Sequence, residues 1–197
     1  MIDRVQFEQW LPFPLDQVFL FFASPENLPC IMPAASRTRI DALKLIPPRP
    51  DASTTDGTLA RGEWGVTARM DGRDPRASSL AGVGSEIVTS FRILPPLLFR
   101  AQWIARITEF EWNSYFADIQ TRGPFRSWHH RHEFEAEFRN GVNGTIVRDR
   151  IEYEVGFGPA GALAQKMFVR RQMARTFGHR HAVLENLSHH SERGFPR

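Results

Sequence analysis

Apolar and polar residues alternate with period two over two neighbouring stretches, Trp128–Phe138 and Gly144–Val155. That is the pattern of strands packed on one face only. In the first stretch Trp128, His130, His132, Phe134, Ala136 and Phe138 share a face, and Arg131, Glu133, Glu135 and Glu137 share the other. In the second, Val147, Asp149, Ile151, Tyr153 and Val155 oppose Arg148, Arg150, Glu152 and Glu154. A four-residue turn over 140–143 predicts that Arg139 pairs with Gly144. His130 then faces Tyr153, His132 faces Ile151 and Phe134 faces Asp149, and the two apolar faces coincide.

Before this hairpin, residues 3–11 read as a strand that Pro12 and Pro14 end. The prolines open a helix with the stripe Leu15, Val18, Phe19 and Phe22. Ser24-Pro25-Glu26 opens a second short helix with Ser24 as N-cap, and this helix stops near Pro33. A strand follows over about 37–46. From Pro47 to Gly84, proline and glycine replace large aliphatics. This is a long excursion with an irregular hairpin near Gly62–Met70, either a functional lid or a tolerated surface insertion.

Strands resume at 85–93, with Ile87, Thr89, Phe91 and Ile93 on one face, at 99–110 and at 115–121. In the last, Tyr115, Ala117 and Ile119 form the more hydrophobic face and are the expected inner set. A helix over 160–187 carries Leu163, Met167, Ala174, Phe177, His181 and Leu184 at three- and four-residue spacing, flanked by Arg170, Arg171, Arg175 and Arg180. The polar tail from Ser188 is expected to fray. The order predicts an α+β fold in one domain over 1–197. A curved antiparallel sheet of six to seven strands wraps a long C-terminal helix, with two short helices after the first strand. Space between sheet and helix is a common place for a pocket.

Composition changes this picture little. Hydrophobic residues make up 42% and charged residues 24%, an ordinary globular balance. The 16 Phe and 5 Trp against 2 Tyr supply area without hydroxyls to satisfy, which suits a large core or an apolar pocket wall. Net charge is +3, and the basic residues are nearly all arginine. They alternate with Glu and Asp, as in Arg148-Asp-Arg-Ile-Glu-Tyr-Glu154, which reads as a solvated sheet face and argues against a nucleic-acid partner. Cys30 is the only cysteine, so no internal disulfide forms. In its short apolar helix a buried, inert thiol is the expected state. No signal peptide or transmembrane segment is recognisable, and a cytoplasmic location is the default.

Four polar side chains, His130, His132, Asp149 and Tyr153, fall on the otherwise apolar face of the hairpin. A buried polar group without a partner costs roughly 2–7 kcal/mol. Two readings follow. The face lines a wet or ligand-filled cavity, or the residues satisfy one another inside a dry core, His132 with Asp149 and Tyr153 with His130.

The chain resembles the START-like helix-grip superfamily, also called SRPBCC or polyketide cyclase/dehydrase-like. The resemblance runs through Phe13-Pro-Leu-Asp-Gln-Val-Phe-Leu-Phe-Phe22, Pro25-Glu-Asn-Leu28 and Pro33. It continues through Gly82-Val-Gly-Ser-Glu-Ile87, Trp103-Ile-Ala-Arg-Ile-Thr-Glu-Phe110 and Phe116-Ala-Asp-Ile-Gln120. It ends with Gly123-Pro-Phe-Arg-Ser-Trp-His-His-Arg-His132, Asp149-Arg-Ile-Glu-Tyr153 and the terminal helix. Nearly everything outside 47–81 is covered, and the Gly-Pro-Phe…Trp-x-His-x-His pattern is similar to one bacterial branch. The resemblance implies the helix-grip fold. Members bind lipids, sterols, hormones or polyketides, and some cyclise or dehydrate polyketides. The superfamily has no shared catalytic motif to carry over, and fold alone does not settle function.

For a binder of a small hydrophobic or amphipathic molecule, Phe91, Trp103, Trp128, Phe134, Tyr153, Met167 and Arg171 are the expected wall. His130, His132 and Asp149 would meet a carbonyl, hydroxyl or carboxylate. For a cyclase- or dehydratase-type enzyme, His132 with Asp149 is the acid–base candidate. A metal held by His130, His132 and Asp149 ranks behind both, and no metal or cofactor is assigned. A protein-interaction module using 47–84 is the remaining alternative.

Overall fold

The Asn140-Gly141 step sets the register of the longest strand pair. Both residues have positive φ, 50° and 83°, as a two-residue type I′ hairpin turn requires. The computed structural model describes residues 2–49, 79–92, 100–156 and 159–189, with side chains of the last segment described over 168–186. In it the turn joins β6 (Ser127–Arg139) to β7 (Val142–Glu154). Arg139 pairs with Val142, so Trp128 faces Tyr153, His130 faces Ile151 and His132 faces Asp149. The four-residue turn expected from the sequence is therefore wrong, and the register moves by two residues. Because strand side chains alternate with period two, such a shift changes every partner and leaves every residue on its own face.

β1 (Asp3–Leu11) pairs with β7, and β5 (Tyr115–Arg122), β4 (Arg100–Glu111), β3 (Glu86–Arg92) and β2 (Arg39–Lys44) continue the sheet beyond β6. The result is a seven-stranded antiparallel sheet in the order β1-β7-β6-β5-β4-β3-β2. Between β1 and β2 lie α1 (Leu15–Ala23) and the short α2 (Leu28–Ile31). Ser24 stands at the N-cap of a 3-10 turn, Pro25–Asn27, that runs into α2, as expected, but its side chain makes no capping bond to this second helix. Its N–H and its Oγ both donate to the Leu20 carbonyl and close the first. The chain ends in α3 (Pro159–His189). No helix among the described residues is long and apolar enough to cross a membrane.

The outer face of the sheet is an ion-pair ladder. Arg4 meets Glu152 at 2.8 Å, Arg148 meets Glu8 at 2.7 Å and Arg150 meets Glu133 at 3.1 Å. Exposed pairs of this kind contribute at most about 1 kcal/mol each. β5 is turned the opposite way from its hydrophobicity. Tyr115 lies outward beneath the Arg131 guanidinium, 3.6 Å from ring centroid to Cζ, while Phe116 and Asp118 face inward. Ala117 is fully buried although outward, because its cross-strand neighbours Arg131 and Glu109 pair with each other beside it.

Inside, Phe19 of α1 is packed edge-on by Phe110, Phe116 and Phe134 and anchors one cluster. A second cluster holds Ile151, Tyr153, Met173 and Phe177, with Phe7 stacked on Phe177 at 4.1 Å. The buried face of α3 is Met173, Phe177, Arg180 and Leu184. Ala174, expected in the stripe, is exposed, and Arg180, expected on its flank, is inside. Cys30 is exposed rather than buried. The excursion after Pro47 returns beside its own start, where the Gly82 N–H donates to the Ile46 carbonyl at 2.9 Å. The hairpin expected near Gly62–Met70 lies outside the described residues, as does the tail from 190.

Candidate functional site

A cavity of about 500 Å3, open on one side, is lined by the inner face of the sheet, α1, α2 and α3. Alternation along β6 delivers Trp128, His130 and His132 to it, and alternation along β3 delivers Ile87, Thr89 and Phe91. Aromatic rings form a continuous wall. Trp103 meets Trp128 edge-on at 4.9 Å, and Phe125 lies 5.0 Å from Trp128. Phe22, Met173 and Phe177 add apolar surface from the helices.

Against this wall stands one polar pole, organised by Asp149. Its side chain is 2% exposed. Oδ1 accepts from Nε2 of His130 at 3.0 Å and lies 2.7 Å from Nδ1 of His132, the latter outside hydrogen-bond geometry. Oδ2 lies 3.1 Å from Nη2 of Arg180, whose guanidinium also sits 4.4 Å over the Phe22 ring. The two imidazole centroids are 3.9 Å apart. Asp118, across β5 from His130, places Oδ2 3.9 Å from its Nδ1.

Burial sets the charge states. It pushes the Asp118 carboxyl up to about 6, against the pull of His130 and His129. Burial and then His130 push His132 down to about 3, so its ring is neutral at pH 7. Burial also opposes the charge on Asp149. Arg180 foremost, then the two imidazoles, outweigh it and hold that carboxyl well below the usual range. An ionised Asp149 accepts only, so Nε2 of His130 carries its proton.

Of the residues expected from the sequence, Phe91, Trp103, Trp128, His130 and His132 line the cavity. Asp149 does not reach it. It stands behind the two histidines with both oxygens engaged. Phe134 belongs to the core cluster around Phe19. Tyr153 is fully buried behind Trp128 and Phe125. Its hydroxyl has no hydrogen-bond partner among the described residues, so the expected bond to His130 is not made. The two-residue register shift moved Trp128 into that place. Arg171 is exposed and does not line the cavity, and Met167 lies outside the residues whose side chains are described.

Sequence reasoning missed Arg180 and Asp118. Arg180 follows Phe177 by three and precedes Leu184 by four, so the helical period itself placed it inward. Asp118 shares a face with Phe116, a signal that the outward Tyr115 obscured.

A seven-stranded sheet gripping a C-terminal helix over such a cavity is the START-like helix-grip, or SRPBCC, fold. Among solved structures, the chain resembles the Zhui aromatase/cyclase from Streptomyces sp. R1128, with a TM-score of 0.58, 9% identity and 98% of each chain covered. TTHA0849 from Thermus thermophilus superposes with a TM-score of 0.55 and 15% identity over 93% of this chain and 95% of that one. Norcoclaurine synthase from Thalictrum flavum, solved in complex with dopamine and hydroxybenzaldehyde, gives 0.52 and 11% over 100% and 90%. At these identities the likeness is one of fold. No protein-family model matches the sequence, and no curated protein matches it.

Proposed function

We propose that this protein binds a small hydrophobic or amphipathic molecule, of lipid, polyketide or aromatic type, between the sheet and α3. The observation that carries the reading is the cavity of about 500 Å3, aromatic on its walls and polar at one pole. That volume falls within the range of small-molecule sites, which combine apolar linings with a few placed polar groups. The ligand's body would lie against Trp103, Phe125, Trp128 and Phe177, with a polar end at His130 and His132.

Native mass spectrometry of the purified protein, then organic extraction, tests it. One co-purifying small molecule near one equivalent is expected. No such molecule, together with no thermal shift across fatty acids, sterols and aromatic polyketide mimics, overturns the reading.

A second reading is a cyclase- or dehydratase-type enzyme using an acid–base pair in the same cavity. Its support is a pair of groups whose environments drive them apart, Asp118 up to about 6 and His132 down to about 3. Asp118 is the better-matched proton carrier near neutral pH, because His132 is a weak base when buried this way. Turnover of a β-hydroxy carbonyl substrate that Asp118→Asn abolishes while binding persists would select this reading.

A further inference from the structure

Asp118, His130 and His132 bring one ligand-capable atom each within 4.8 Å of one another on the inner face of the sheet. We propose that these three residues form a mononuclear site for a divalent transition-metal ion of the Zn2+ or Fe2+ kind, with its open positions facing the apolar cavity. The donor set, two imidazoles and one carboxylate, is that of sites which keep room for water or substrate.

The orientation of the rings supports it independently. Asp149 occupies Nε2 of His130 and sits beside Nδ1 of His132. Nδ1 of His130 and Nε2 of His132 are thereby left for a cation. A carboxylate behind each metal-binding histidine is the usual second layer of such sites, fixing the tautomer and raising ligand basicity. Here one buried carboxylate stands behind both rings, with its other oxygen 3.1 Å from the Arg180 guanidinium. Nδ1 of His130 and Oδ2 of Asp118 are 3.9 Å apart. Donors each about 2.0–2.1 Å from a tetrahedral ion stand roughly 3.3 Å from each other. Donor separations within 4.8 Å would need to shorten by at most about 1.5 Å to close the site. Among the described residues, no arginine or lysine pairs with the Asp118 carboxylate, whereas Asp149 has Arg180.

This inference is independent of the ligand reading, because metal occupancy is measured without any organic molecule. The full chain, freed of metal with chelator, is titrated with Zn2+ and with Co2+ as a visible-absorbing probe. About one equivalent is expected to bind, with a rise in Tm. Asp118→Asn, which keeps volume and removes the charge, should weaken binding at least about tenfold. His129→Ala, which removes the outer-face histidine 3.4 Å from Glu109, should leave it unchanged. Nitrogen-15 NMR of the imidazoles supplies a readout that needs no variant, with Zn2+ shifting Nδ1 of His130 and Nε2 of His132. Less than about one-tenth equivalent bound, binding that survives Asp118→Asn, binding lost in His129→Ala, or ring shifts confined to other histidines each overturn the proposal.

Discussion

Replacing Arg180 by methionine should be among the most damaging single changes in the chain. Two unit charges 3.1 Å apart, as in the Arg180–Asp149 pair, attract by about 5 kcal/mol at an effective dielectric constant of ~20. Desolvation of both groups offsets much of this, so the pair itself adds little to net stability. Removing one partner is different, because Asp149, only 2% exposed, keeps its desolvation cost and loses its cation. Loss of one member of a buried pair typically costs 3–5 kcal/mol, and about 3–5 is expected for Arg180→Met. Methionine keeps the apolar stem and removes the guanidinium, which pairs with Asp149 and lies over the Phe22 ring.

The sign with pH is specific. In the native protein Asp149 titrates well below its ordinary value, so its contribution is present above about pH 4 and is lost as pH falls further. Without Arg180, burial is less opposed and the carboxyl moves up, so the penalty grows as pH rises. Urea unfolding at pH 7.5 and pH 4.5, followed by circular dichroism, should therefore show a larger defect at the higher pH. Asp149→Asn combined with Arg180→Met should recover at least about 2 kcal/mol relative to the sum of the single changes. Single changes that add within ~0.5 kcal/mol, or a defect that grows toward acid, would refute the reasoning.

Asp118→Asn in metal-free protein should raise stability above pH 7 by up to about 3 kcal/mol, the linkage equivalent of a carboxyl moved from 3.8 up to about 6. The difference should vanish below pH 4 in paired unfolding curves, because there both forms are neutral. His132, lowered to about 3, should stay unprotonated at pH 5 by imidazole NMR, and its neutral-state contribution should be lost as pH falls from 6.5 toward 3. Gly144→Ala would bring a Cβ within 2.5 Å of the Trp10 ring and 2.6 Å of the Leu11 carbonyl, where β1 presses on β7. A loss of about 1–3 kcal/mol with a changed Trp10 environment in fluorescence is expected. Gly141→Ala meets open space but a φ of 83°, so its loss should be about 1–2 kcal/mol with no local repacking.

The element order was legible because period-two and period-3.6 patterns are strong over β6, β7 and α3. Faces were legible where hydrophobicity and burial coincide, as on β3 and β6. They were misread where a polar group belongs inside. On β5 an outward Tyr115, covered by Arg131, outweighed an inward Asp118 in any hydrophobic count. On α3 the stripe expected through Ala174 and His181 lies one position away from the buried Met173 and Arg180, because arginine does not count as apolar. Both missed residues are charges whose inward placement depends on partners from other elements, information that a single-segment pattern does not contain. The hairpin register was missed for another reason. Asn-Gly is itself a complete turn, so the expected loop was two residues too long.

Stability alone does not account for the polar pole. Buried ion pairs can often be exchanged for apolar side chains at no loss, or with a gain. What Asp149 supplies is orientation. From behind the cavity wall it faces one nitrogen of each of two neighbouring rings and neutralises an arginine. Groups held this way meet a ligand or an ion without reorganising, which is where preorganised sites gain over flexible ones. The double variant separates the two roles. If Asp149→Asn with Arg180→Met is nearly as stable as the native chain yet loses Zn2+ or its small-molecule ligand, the network serves the site. If it keeps both, His130 and His132 are positioned by packing between Trp128, Phe116 and Phe177 alone.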